Sequence, residues 1–288
     1  MFHDWIVADP AGKNRCAMLT LHKIDSLDLP ELQPYRTMRR HAEHREQGIF
    51  VAEGEKVVRR LLASELTVIS LLVPEKWARE LETLIRARQE TVRVFVAEKK
   101  LLEQLTGFSM YQGLLAVGTV PKARTLEELI TTGSIPRLLV AADGIASAEN
   151  LGALVRNCGA FGAHALLVSN TSCSPFLRRA VRSSMGVVFD LPVVEGLPLR
   201  DALQQVRKHG IRCLAAHPRA TARSLYQSDL SCDCCIIFGS EGHGISDEVL
   251  NACHDTIAIQ MSAGVDSLNV ASASAVFLFE ASRQRFAR

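Results

Sequence analysis

The sequence predicts an α/β protein of two domains, and three observations point there. The chain has 288 residues, long for one domain and comfortable for two at roughly 100–200 residues each. Short apolar runs alternate with amphipathic helical patterns along most of its length, the pattern of a mainly parallel sheet covered on both faces. The run Arg137-Leu-Leu-Val-Ala-Ala is almost wholly apolar, as a strand buried on both sides must be.

Residues 1–30 are mixed in composition, with Pro10 and Pro30 as breakers, and read as an N-terminal extension. From Arg36 the alternation begins: a helix over 36–46, a strand over 49–52 and an amphipathic helix over 55–63. Strands over 68–73, 92–96 and 113–120 follow, separated by helices over 77–88 and 99–104. Residues 31–120 thus form a small α/β domain. Residues 121–135 read as a linker holding a short helical stretch over 126–130. In the second domain, 136–288, strands fall over 137–142, 164–168, 187–189, 211–216, 234–238 and 256–259. Its helices fall over 150–161, 176–184, 199–209, 246–252 and 267–283.

Composition narrows the function classes. No apolar run reaches the roughly 18–20 residues of a membrane span. The N-terminus lacks the basic-then-apolar pattern of a signal peptide, so a cytoplasmic protein without a membrane partner is expected. The eight cysteines are expected as reduced thiols. Cys232, Cys234 and Cys235 run directly into Ile236-Ile237-Phe238 without the spacing of a zinc site. Strand alternation points Cys234 and Cys235 to opposite faces, so the expectation is small buried hydrophobes and no metal. A net charge of +2 says nothing about nucleic acid; clustering matters more. Arg36, Arg39, Arg40, His41, His44 and Arg45 form one basic segment, and Lys56, Arg59 and Arg60 another. Arg178, Arg179 and Arg182 form a third. Solvated helix faces, diluted by Glu43, Glu46, Glu53 and Glu55, would also account for such runs.

Ligands of parallel α/β folds sit beyond the carboxyl ends of strands, and three segments fall there. The first follows Ala142 and contains Asn150, suited to a helix N-cap, Gly152, and Arg156 in an otherwise apolar helix. A guanidinium there needs an anion or must reach outward. The second is Gly239-Ser-Glu241-Gly242-His-Gly244-Ile-Ser246. Its glycine order is not the dinucleotide fingerprint, yet a Gly-rich strand-to-helix loop can cradle a nucleoside with backbone amides. The third runs from Ile259 through Met261, Gly264, Asp266, Ser267, Leu268 and Asn269 into the small residues Ala271 to Ala275. Ser267 and Asn269 interrupt the start of a helix, and both compete with helix formation.

Together these segments resemble the three signature motifs of the SpoU/TrmH RNA 2′-O-methyltransferases, within the SPOUT superfamily. ENLGALVRNCGAFGAHALLVS resembles the first, IIFGSEGHGIS the second and IAIQMSAGVDSLNVASASAVFLFE the third. The segment Arg178 to Met185 resembles the family's stretch after the first motif. The likeness spans about 136–283. Around Phe50 to Gly54, the first domain is more loosely similar to the family's ribosomal-protein-like α/β substrate-binding domain. Ser240 departs from the asparagine that many relatives carry.

The resemblance implies a SPOUT fold with a deep trefoil knot, homodimerisation, and S-adenosylmethionine as methyl donor without a metal. It implies donor binding by Gly239, Glu241, Gly242, Ile259, Met261, Ser267 and Leu268. It carries catalytic roles to Asn150, Arg156, Glu241, Ser267 and Asn269. Arg156 would grip the phosphate beside the target ribose, since its forked donors suit an oxyanion and a guanidinium holds its protons too firmly to serve as a base. Arg36, Arg39, Arg40, Arg178, Arg179 and Arg182 would then bind RNA, with ribosomal RNA the expected substrate. The alternatives are the same chemistry on transfer RNA, or a catalytically silent RNA-binding relative. A small-molecule nucleotide enzyme fits less well, because the dinucleotide and P-loop patterns are absent.

Overall fold

The computed structural model describes residues 4–6, 20–106, 113–132, 135–218 and 223–286. The chain divides into two units, Met1–Pro121 with Phe176–Phe189, and Lys122–Pro175 with Asp190–Arg288.

The first unit begins with β1 (Asp4–Ile6) and β2 (Thr20–Lys23), so the stretch read as an extension supplies two strands of a sheet. Next come α1 (Gln33–Arg36) and α2 (His41–Glu46), two short helices where one was predicted. β3 (Ile49–Glu53) is buried throughout and leads through Gly54, at φ +96°, into α3 (Glu55–Ala63). α3 buries Val57, Val58, Leu61 and Leu62 on one face. Each of the two leucines contributes about 1.5–3 kcal/mol by leaving water. β4 (Val68–Val73), α4 (Glu75–Glu80), α5 (Glu82–Arg86), β5 (Arg93–Val96), α6 (Lys99–Thr106) and β6 (Leu115–Thr119) complete a mixed six-stranded sheet. Its order is β1-β2-β5-β4-β6-β3.

The second unit opens on α7 (Leu126–Thr131), inside the predicted linker. A capping box between Thr125 and Glu128 starts this helix, and Leu126, Leu129 and Ile130 bury their side chains in the core of the unit. β7 (Leu138–Asp143), α8 (Ala148–Ala160) and β8 (Ala165–Ser169) follow. The chain then gives Phe176–Phe189, including α9 (Arg178–Ser183), to the first unit rather than to the 136–288 domain. Val187–Phe189, predicted as a strand, is a 3-10 turn entered through Met185 and Gly186 at positive φ. The strand comes later, as β9 (Val193–Leu197). The rest is α10 (Leu199–Lys208), β10 (Arg212–Ala216), β11 (Arg223–Ser224), β12 (Cys234–Gly239), α11 (Asp247–Asn251), β13 (Asp255–Ala258) and α12 (Val270–Phe286).

All seven strands of the second unit are parallel, in the order β11-β13-β10-β12-β7-β8-β9. α7, α10 and α11 pack on one face, while α8 and α12 pack against each other on the other side of the sheet. Alternation separates the paired cysteines as expected. Cys235 joins Cys213 in the first face's core, and Cys234 Sγ accepts from Arg285 of α12 at 3.3 Å. Burial pushes the Cys234 thiol up to about 11 and those of Cys213 and Cys253 to about 12. Among the described residues, no helix is long and apolar enough to cross a membrane.

Candidate active site

Strand order reverses between β7 and β12, and open parallel sheets place ligands at such a switch point. The register sets Gly239 abreast of Asp143, so the loops leaving both strands start side by side. The Asp143 carboxylate is buried and accepts from both Ser246 N and Ser246 Oγ at 2.8 Å. Ser246 precedes α11, which begins one residue later, and its hydroxyl reaches across to β7 instead of capping its own helix. The structure thereby adds Asp143, whose role the sequence reading missed. An acid ending a wholly buried strand was the available signal.

The loop after Gly239 closes on itself. Ser240 N donates to Gly244 O at 2.9 Å, Gly244 N returns to Ser240 O at 3.0 Å, and Ser240 Oγ accepts from His243 N at 3.1 Å. So at position 240 the side chain contributes as well as the backbone. Gly239 is obligatory: a Cβ there would lie 2.2 Å from the Gly244 carbonyl carbon.

At α8 the predicted cap moves. Ser147, not Asn150, is the N-cap residue, its side chain accepting from Asn150 N at 3.3 Å. That leaves the Asn150 side chain available to the third segment. α12 starts at Val270, three residues later than expected, because the Asn269 carboxamide oxygen accepts from Ala271 N at 2.8 Å and caps the helix. The other end of that side chain donates to Asn150 Oδ1 at 3.2 Å and to the Glu241 carboxylate. One residue of each segment therefore meets at Asn269. Asn157, about two turns further along α8, holds the same helix start by donating to Ala271 O at 2.8 Å and to the buried Ser274 Oγ at 2.9 Å.

Beside this junction is a cleft of about 890 Å³. Every residue expected to hold the donor lines it: Gly239, Glu241, Gly242, Ile259, Met261, Ser267 and Leu268, with Asn269. Asp266 and His243 line it too, as do Ala216, His217 and Pro218 at the end of β10, which the sequence reading did not include. Asn150 and Arg156 are not lining residues. Arg156 is exposed on α8 and has no ion-pair partner among the described residues.

The basic residues expected to bind RNA lie in the first unit. Arg178 is almost buried against the Glu53 carboxylate, which also accepts from Arg182 at 2.6 Å. Arg178 and Arg182 thus share an internal partner, which the sequence separation concealed. Arg36 lies 3.7 Å from Asp28, and Arg40 pairs with Glu43 at 2.9 Å while staying largely exposed. Arg179 is exposed. Arg39 is held by an interaction within the structure. Burial, then the charges of Arg178 and Arg179, lowers the pKa of His41. Among the described residues, no group of three or more His, Cys, Asp or Glu converges to hold a metal ion.

The chain is similar to known proteins along most of its length. The model of the SpoU rRNA Methylase family matches residues 137–279. A 23S rRNA (guanosine-2′-O-)-methyltransferase, RlmB, from a Burkholderia species is 32% identical over 203 residues, covering 70% of this chain and 82% of that protein. An uncharacterized tRNA/rRNA methyltransferase of Mycobacterium tuberculosis is 28% identical over 283 residues, 94% of this chain and 96% of its own. The SpoU methyltransferase AviRb of Streptomyces viridochromogenes, solved with AdoMet, superposes with a TM-score of 0.77 at 25% identity, covering 90% of this chain and 98% of that one. With a relative this similar over most of its length and with one residue of each signature segment joined at Asn269, the chain belongs to the SpoU rRNA methylase family.

Proposed function

We propose that this protein transfers a methyl group from S-adenosylmethionine to a ribose 2′-hydroxyl of RNA, with ribosomal RNA as the substrate class. The observation that carries the reading is the meeting of Asn150, Glu241 and Asn269 beside the cleft. The cleft suits a nucleoside-sized donor: its volume falls in the usual range for small-molecule sites, and at Gly239 the wall is bare backbone.

When bound, the donor's sulfonium supplies a methyl group already activated for displacement. The protein's task is then to align a weak alcohol nucleophile and remove its proton. Gly239, Gly242, Ile259, Met261 and Leu268 hold the donor, largely through backbone. Arg156, exposed and without an anionic partner among the described residues, grips the phosphate next to the target ribose. Asn150 and Ser267 orient the ribose, while Asn269 fixes the Glu241 carboxylate. Glu241 accepts the proton through a water molecule, a role a guanidinium cannot fill near neutral pH.

Further parts of the reading follow the same resemblance. The 259–269 stretch, tied to Asn150 and Glu241 before α12 packs on α8, is supported as the closing pass of a trefoil knot. Homodimerisation through α12 is supported by its outward Val276, Phe279 and Phe286, the last two 56% and 84% exposed. Arg36, Arg39, Arg40, Arg179 and Arg182 supply phosphate contacts in the first unit; Arg178 instead supports them through Glu53. Ribosomal RNA is favoured by the RlmB relative, of which this chain covers 82%.

The test is direct. Purified protein, labelled S-adenosylmethionine and in vitro transcribed ribosomal RNA are incubated, and the RNA is digested to nucleosides. A labelled 2′-O-methylnucleoside is expected. Label on a base, or none on any RNA, overturns the proposal.

A further inference from the structure

The geometry points to Tyr226, with Arg223 beside it, as a stacking platform for an unpaired RNA base flanking the target nucleotide; this rests on the RNA methyltransferase reading above. The 3-10 turn Leu225–Gln227 follows β11, the edge strand of the parallel sheet. β11 runs parallel to β13 with Ser224 abreast of Ala258. Tyr226 therefore emerges at the carboxyl edge of the sheet. Its turn thus leaves the same end of the β11–β13 pair as the chain that continues from Ala258 into the cleft residues Ile259 and Met261.

The ring is 72% exposed, yet the turn that carries it is firmly held. Leu225 is buried. Ser228 Oγ donates to Ser224 O at 2.8 Å, and Ser228 O accepts from Gln284 of α12 at 3.0 Å. Gln284 Oε1 then accepts from Leu230 N at 2.7 Å. A large aromatic ring displayed on a fixed backbone is preorganised for a flat partner, since little backbone freedom is left to lose on binding.

That partner has the chemistry of a nucleobase. Sequence-specific RNA recognition works on loops and bulges, where the base flanking a target nucleotide lacks a stacking face. A tyrosine ring replaces that face for any base, and the exposed Arg223 three residues earlier supplies a cation for the same nucleotide's phosphate. Val265 and Leu268, 51% and 41% exposed, extend the apolar rim from inside the cleft. The competing occupants are the donor's own adenine and a second copy of the chain.

Tyr226→Ala and Tyr226→Phe are compared with the wild type. The readouts are filter retention of transcribed ribosomal RNA, methylation kinetics on it, calorimetry with S-adenosylmethionine, and sedimentation. Tyr226→Ala is expected to weaken RNA retention and raise the RNA KM roughly tenfold, with donor affinity, kcat and oligomeric state unchanged, and Tyr226→Phe to restore both. Unchanged RNA affinity in Tyr226→Ala overturns the inference. So does a parallel loss of donor affinity, which assigns the ring to adenine, or a change in oligomeric state, which assigns it to a second copy. A wild type that transfers no methyl group defeats the functional reading, whereas filter retention still decides the role of Tyr226.

Discussion

The side-chain amide of Asn269 donates to Asn150 Oδ1 at 3.2 Å, joining residues 119 apart in sequence, and the same amide reaches the Glu241 carboxylate. Its oxygen meanwhile caps α12. One carboxamide thus does two separable things, and substitution can separate them. Asn269→Ala removes both, costing about 1 kcal/mol of stability through the lost cap. Asn269→Ser keeps a capping oxygen but cannot bridge to Glu241. Both variants are expected to lose turnover on the order of 10²-fold through misplaced groups, while only the alanine variant melts earlier. Equal turnover in the serine variant and the wild type would dismiss the bridge as catalytic geometry.

Gly239 and Gly242 make a matched pair for testing the cleft wall. A methyl group at 239 would sit 2.2 Å from Gly244 C and 2.3 Å from Ile245 N, both backbone, whereas at 242 it meets nothing within 4 Å. Gly239→Ala must therefore push the 240–244 loop aside, and its donor affinity is expected to collapse while circular dichroism stays native. Gly242→Ala is expected to bind the donor as the wild type does. Calorimetric titration with S-adenosylmethionine reads both, and tight binding by Gly239→Ala would refute the steric argument.

Arg156 is exposed and has no ion-pair partner among the described residues, which suits a group kept for a phosphate. Arg156→Ala is expected to abolish methyl transfer yet leave donor affinity intact. It should also reduce the slope of log RNA affinity against log salt by about one unit. Undiminished methylation in this variant would remove Arg156 from the mechanism.

How far the sequence alone reveals this arrangement differs from part to part. Buried parallel strands such as β7 and β12 are legible because both faces need apolar side chains. The three-residue run Val187–Phe189 is equally apolar, with Val188 and Phe189 buried, so pattern alone cannot tell a strand from a turn. The cleft glycines and Ser267 to Asn269 stand out at strand ends, where small and helix-breaking residues need a reason. Their hydrogen bonds do not stand out. Whether Asn150 or Ser147 caps α8 depends on which side chain the distant Asn269 needs. The charge clusters mislead for the same reason: Arg178 looks free until Glu53, 125 residues earlier, is found against it.

Two histidines on the amino side of the same sheet predict how the second unit responds to acid. His164 N donates to Leu138 O at 2.8 Å and its Nδ1 accepts from Leu138 N at 3.0 Å; His254 repeats this clamp on Cys213 at the same distances. Each ring must stay neutral at Nδ1 to accept. Burial first, and then Arg285 for His164 and Arg207 for His254, holds both below the usual imidazole value of 6.5. Below 6.5 the unfolded chain therefore binds more protons than the folded one, so these clamps contribute fully above that pH and progressively less beneath it. The melting temperature is expected to fall as the pH is lowered from about 7.5 to about 5.5. Replacing both residues with asparagine, whose oxygen accepts without titrating, should flatten the part of that fall that belongs to the second unit. His41 and His44, also lowered by burial, account for what persists in the first unit. An acid profile for the second unit that is identical in the doubly substituted protein would show that protonation acts elsewhere.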